Sequence, residues 1–112
     1  MNNELAVVWV TKDADAAMNM ILMYTKNSML KHWWDRVQLI VWGPSAELLA
    51  HDEKLQAEVK AAAAAGVELL ACKACADRYG VSADLTNLGI EVKYMGEPLT
   101  ELLKSGWHVL SV

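Results

Sequence analysis

The sequence predicts an α/β fold, in which helices lie over the faces of a five-stranded, largely parallel sheet. Three observations carry this. Five short apolar runs recur along the chain, helical patterns fill the intervals between them, and glycine or proline stands at most of the joins. Strands alternating with helices pair in parallel, because right-handed crossovers lay each connecting helix back on the sheet. At 112 residues the chain fits one domain, residues 1–112, and 54% apolar composition is enough to fill a core between two helical layers.

The first strand is Leu5 to Val10, a β-branched run with Trp9 that suits burial on both faces. Thr11 and Asp13 are placed to cap the helix that follows, from about Asp13 to Leu30. The second strand, Val37 to Trp42, ends at Gly43-Pro44-Ser45, and a short helical piece from Ser45 to Ala50 follows. Asp52, Leu55, Val59 and the run Ala61 to Ala65 form a longer helix stopped by Gly66. Val67 to Ala71 is the third strand, Cys72 to Tyr79 a short helix, and Gly80 its end. Ser82 or Asp84 starts another helix that finishes at Asn87-Leu88-Gly89. Ile90 to Tyr94 is the fourth strand, and Gly96 and Pro98 mark a loop. Thr100 to Lys104 is then a short helix, Gly106 its terminator, and Trp107 to Val112 the last strand.

A formal charge of −4 argues against a nucleic-acid or anionic-membrane binder, since either role needs a basic face to neutralise phosphates. The longest mostly apolar stretch, Ala16 to Tyr24, is interrupted by Asn19 and falls well short of the roughly 20 residues that span a bilayer. The N-terminus carries Glu4 and no early Lys or Arg, unlike a secretory signal, so the chain reads as cytoplasmic. Two cysteines in such a compartment point to structure, metal or chemistry rather than a disulfide scaffold.

In parallel sheets the loops after the strand ends share one edge, where ligand and catalytic groups collect. Here that edge holds Thr11 and Lys12, Gly43 to Ser45, Cys72 and Lys73, and Tyr94 to Gly96. Cys72 is the strong nucleophile among them. At a helix start it faces unpaired N–H groups that favour a thiolate, with Lys73 and Lys12 available to add to the effect and Asp77 opposing it. Cys75 completes a C-x-x-C spacing on the same side of the helix. Zinc is disfavoured, because His32, His51 and His108 show no ligand spacing to one another or to the cysteines. A dithiol redox pair is the competing reading, although the pair follows the third strand rather than the early strand expected of a thioredoxin.

The stretch Ala71, Cys72, Cys75 and Asp77-Arg78-Tyr79-Gly80-Val81, followed by Gly89, Gly96, Leu102, Gly106-Trp107 and Val109, resembles the DsrE/DsrF/TusD family of small sulfur-relay proteins. The resemblance covers nearly the whole chain. It implies a three-layer α/β/α sandwich around a five-stranded parallel sheet, assembled as trimers, hexamers or related hetero-oligomers. In sulfur-transferring members, the cysteine eight residues ahead of the glycine ending the third helix accepts a sulfane sulfur and passes it on. Counting back from Gly80, that cysteine is Cys72. Cys75 has no counterpart in the best-characterised carriers, and some members of the family show no activity.

The resemblance therefore implies a sulfur carrier that takes sulfane sulfur as a persulfide on Cys72, with no organic cofactor. Its partners are sulfur donor and acceptor proteins or small sulfane-sulfur compounds. Cys75 is the candidate second or resolving thiol: its attack on the persulfide releases sulfide and leaves a Cys72–Cys75 disulfide. Two alternatives stand beside it, a dithiol oxidoreductase working through that disulfide, and a non-catalytic oligomeric domain that binds a small ligand.

Two further features concern packing. Trp33 and Trp34 beside His32 read as aromatics that pack against neighbouring elements or subunits, and the three histidines as surface or supporting groups. In the first helix Met18, Met20, Ile21, Leu22, Met23, Tyr24, Met29 and Leu30 spread around more than one face, more than a single sheet covers. Homo-oligomerisation is the expectation, because a monomer would expose a large apolar patch.

Overall fold

The five apolar runs become five strands, and all of them run parallel. The computed structural model, which describes residues 3–112, places β1 at Glu4–Trp9, β2 at Arg36–Val41, β3 at Glu68–Cys72, β4 at Glu91–Lys93 and β5 at His108–Ser111. Their order across the sheet is β4-β3-β2-β1-β5. The register aligns Trp9 with Val41, Val41 with Ala71, and Cys72 with Lys93. The C-terminal ends of four strands thereby share one edge.

This order decides where the helices go. From β1 to β4 the chain steps one strand at a time in one direction, whereas β5 returns to the far side of β1. Right-handed crossovers put the helices of the first three connections on one face and the helix of the last on the other. The cores agree. Leu5, Val7 and Trp9 point into the larger cluster with Ile21, Leu49, Leu55, Val59, Ala76 and Leu85. Ala6, Val8, Ile40, Leu70 and Cys72 point the other way, into a smaller cluster with Met95, against which Leu99 and Leu102 pack. The result is three layers of unequal thickness. Each fully buried large side chain, such as Trp9, Leu39 or Leu55, contributes roughly 1.5–3 kcal/mol relative to exposure.

The first helical rod is continuous but not uniform. It comprises α1 (Ala14–Ala16), a π-helical stretch (Ala17–Leu22) and α2 (Met23–Leu30). Asp13 caps its start by accepting from the Ala16 N–H at 3.0 Å, and Thr11 Oγ1 accepts from the Asp13 N–H. The wider π turns bring Ala17, Ile21 and Leu22 inward together. Met20, Met23 and Leu30 remain on the outside, between 38% and 57% exposed. The rod ends with His32 at φ 57°, while the Trp33 N–H donates back to Ser28 O at 2.9 Å.

The remaining helices are α3 (Pro44–Ala50), α4 (Glu53–Ala64), α5 (Lys73–Tyr79), α6 (Ser82–Asn87) and α7 (Gly96–Lys104). Pro44 starts α3, where its fixed φ suits the first turn. Asp52 caps α4 through the Leu55 N–H at 3.0 Å, and Leu55, Val59 and Ala62 form its buried stripe.

Two expected boundaries are corrected. The loop expected at Gly96 and Pro98 is the first turn of α7, where proline's missing N–H costs nothing because first-turn donors have no intrahelical acceptor. Cys72, expected as the first residue of a helix, instead ends β3 and is the extended N-cap residue of α5 (φ −69°, ψ 115°).

Candidate functional site

The loops after β1, β2, β3 and β4 bring the expected edge residues to one rim, and Cys72 lies at its centre. As the last residue of β3, Cys72 points to the face that α7 covers, in the cluster with Val8, Ile40, Leu70 and Met95. Trp42 and Cys75 pack against the same cluster. Cys72 is 6% exposed and Cys75 is half-buried, and both are free thiols.

The spacing of the two cysteines has a structural meaning. Cys72 is the N-cap of α5 and Cys75 its third residue, one turn on, and both lie at the smaller apolar cluster. The Cys75 side chain hydrogen-bonds to that of Cys72 and also receives the backbone N–H of Gly43. Burial first, and then the bond to Cys72, push the Cys75 thiol above its ordinary value, while the Gly43 N–H and the charge of Arg78 pull the other way.

Gly43 reaches this position because of its backbone. It holds φ 71° and ψ −136° between β2 and α3, a combination that side chains with a Cβ rarely adopt. Ser45 fixes the same turn from below. Its buried hydroxyl donates to Trp9 O at 2.5 Å and accepts from the Trp42 N–H at 3.1 Å, tying the ends of β1 and β2 together. Neither contact was visible in the sequence. Both depend on which strands are neighbours, and the Gly-Pro-Ser turn was the one local sign that this loop is constrained.

The lysines do not serve the cysteines. Lys12 pairs with Glu47 at 3.0 Å, and Lys73 with Asp77 at 2.7 Å. Each ammonium is held above its ordinary range by that carboxylate. Asp77, held below its own range by Lys73 and then by Ser82, also accepts from the Ser82 hydroxyl at 2.5 Å. Lys73 Nζ stands 5.7 Å from the centre of the exposed Tyr94 ring. The supporting charge of Lys73 and Lys12 expected for Cys72 is thus taken up by acids, and Arg78 is the cation that acts on the pair, through Cys75.

Trp33, Trp34, His51 and His108 make contacts within the fold, and His32 is exposed. Trp33 stacks obliquely on Tyr24 at 5.9 Å between ring centres, and Trp34 donates to the Tyr24 hydroxyl at 3.1 Å and lies 5.3 Å from His108. His51 Nδ1 meets Glu47 O at 2.8 Å at the end of α3. Among the described residues no three His, Cys, Asp or Glu side chains group as a metal site, and no helix is long and apolar enough to cross a membrane. Asn19, Met20, Met23, Tyr24, Asn27 and Trp33 line a shallow, mostly apolar cavity of about 280 Å³ on the outer side of the first rod.

Comparison with known proteins gives a consistent frame. The model of the DsrE/DsrF-like family matches residues 7–112. The conserved protein of unknown function BT1422 from Bacteroides thetaiotaomicron superposes with a TM-score of 0.95 at 41% identity, over 98% of this chain and 95% of that one. The ychN protein from E. coli (TM-score 0.71, 18% identity) and MTH1491, a protein of unknown function from Methanobacterium thermoautotrophicum (TM-score 0.77, 16% identity), share the fold, each with full coverage of both chains. No curated protein matches the sequence.

Proposed function

The chain belongs to the DsrE/DsrF-like family, and from that premise we propose that it carries sulfane sulfur as a persulfide on Cys72 and hands it to a partner in intracellular sulfur metabolism. One observation carries this reading: Cys72 closes β3 at the shared strand-end rim, with a second free thiol, Cys75, packed against the same cluster. In the first step the Cys72 thiolate attacks the sulfane sulfur of a donor. The donor's S–S bond breaks, its thiolate departs, and Cys72–S–S⁻ forms. In the second, an acceptor thiolate attacks the outer sulfur and the Cys72 thiolate leaves. Neither step requires an organic cofactor.

The partners are a sulfur donor and an acceptor, either proteins or small sulfane-sulfur compounds, and the place of action is the cytoplasm. The chain acts as a homo-oligomer, a trimer or hexamer, which covers the exposed Met20, Met23, Leu30 and Trp33.

The test is to incubate reduced protein with polysulfide and map added sulfur by peptide mass spectrometry in wild type, Cys72→Ser and Cys75→Ser. Sulfur on Cys72, absent from Cys72→Ser and retained in Cys75→Ser, is the expected result. No added sulfur in wild type or Cys75→Ser, where a known carrier loads, overturns the reading and favours a non-catalytic binding domain. Light scattering at low concentration checks the assembly, and a monomer would refute it.

A further inference from the structure

Cys75 is a second thiol at the rim that a simple carrier leaves unused. Resting on the persulfide reading for Cys72, we infer that Cys75 resolves that persulfide within the chain, so that the protein reduces sulfane sulfur to hydrosulfide. The argument begins with placement. Cys72 at the N-cap and Cys75 at the third position of α5 both lie at the smaller apolar cluster, and a hydrogen bond to the Cys72 side chain is among the influences on the Cys75 thiol. Cys72 has the extended backbone of a cap, outside the helical ladder, and Cys75 follows within the first turn of α5.

The atoms balance without an external oxidant. Sulfur arrives on Cys72 as Cys72–S–S⁻. The Cys75 proton passes to the outer sulfur as the Cys75 sulfur attacks Cys72 Sγ. The bond between Cys72 Sγ and the outer sulfur breaks, HS⁻ leaves with the electron pair, and a Cys72–Cys75 disulfide remains. The outer sulfur is reduced and the two thiols are oxidised. Two electrons from a thiol reductant, a small thiol or a protein dithiol, restore the starting state.

The surroundings of Cys75 suit this order of events. Burial and the bond to Cys72 keep its proton in place in the resting protein. Once Cys72 is loaded, the Gly43 N–H and Arg78 remain to favour charge on the Cys75 sulfur. The chain therefore has two exits for its sulfur. A docked acceptor takes the outer atom, and without one Cys75 converts it to hydrosulfide.

The test uses reduced full-length protein, sodium polysulfide as the probe, and exclusion of oxygen. After loading and desalting, disulfide is read by peptide mass spectrometry without reductant, and hydrosulfide is measured against the Cys75→Ser and Cys75→Ala variants. The expected result is a Cys72–Cys75 disulfide with matching hydrosulfide in wild type, and loss of both in the variants, which retain the extra sulfur on Cys72. Melting curves verify that the variants are folded. A wild type that keeps its persulfide as long as Cys75→Ser does overturns the inference and leaves the carrier reading intact. Disulfide without hydrosulfide also overturns it. If neither wild type nor the Cys75 variants gain sulfur on Cys72, the carrier reading itself fails.

Discussion

Replacing Gly43 by alanine separates what the turn costs from what it does for the thiols. A Cβ built at Gly43 meets nothing closer than Val10 Cγ1 at 3.8 Å, an ordinary contact. Steric crowding is therefore not the issue. The φ of 71° is, and holding alanine there costs about 1–3 kcal/mol, less about 0.4–1 kcal/mol from the stiffer unfolded chain. Taken near the middle of both ranges, the net loss is about 1–2 kcal/mol. With an unfolding entropy of roughly 2.1 cal/mol/K per residue, each kcal/mol lowers the Tm of a chain of this length by about 4 °C, so a fall of about 4–8 °C is expected. If the backbone relaxes toward negative φ, the N–H swings off Cys75 and removes one of the two influences that favour its thiolate. Alkylation of Cys75 at neutral pH, followed by peptide mass spectrometry, should then slow. Gly96→Ala is the control, because Gly96 has no positive φ and open space around its Cβ; it should leave both readouts unchanged or raise the Tm slightly. A Gly43→Ala protein with unaltered Tm and alkylation rate would refute both the strain and the role of the N–H.

Three other perturbations follow from the packing. Arg36 grips Glu68 through two bonds of 2.9 and 2.8 Å, and this, with Gln38, holds the Glu68 carboxyl below its ordinary range. A depressed carboxyl stabilises the fold above its unfolded value, near pH 4.3, and the gain is lost as pH falls through the folded value. The urea midpoint should thus drop more steeply below about pH 5 in wild type than in Glu68→Gln; equal slopes would rule the pair out as a source of acid sensitivity. His32→Gly relieves a φ of 57° at the end of α2 and should stabilise by about 0.5–1 kcal/mol in urea titration, with a loss counting against the strain. Ser28→Ala removes a buried hydroxyl that has no hydrogen-bond partner among the described residues, so stability should hold or rise by up to about 1 kcal/mol; a fall of that size would reveal a partner.

What the sequence made legible follows the range of the forces involved. The three inner strands were readable because burial on both faces demands apolar runs, and Asp13 and Asp52 announced their helices because a cap acts within three residues. The π stretch escaped, since a period of 3.6 cannot register its wider turns, and part of the apolar spread in the first helix is this change of phase. The site divides the same way. Cys72 could be placed because a strand end followed by a helix is a local pattern, whereas Lys73 and Asp77, one helical turn apart, were read as opposing influences on the thiol and instead pair with each other. Lys12–Glu47 and Gly43–Cys75 could not, because they join segments that become neighbours only once the strand order is set. That order bears directly on the chemistry. Because β2 lies beside β3, the turn after β2 rests against the first turn of α5, and a backbone N–H reaches the thiol. Both rim lysines being bound to acids, Gly43 and Arg78 are what favour a charged sulfur at Cys75. The electrostatic bias of the pair is thus set at its second cysteine, where the proposed choice between passing sulfur on and reducing it would be made.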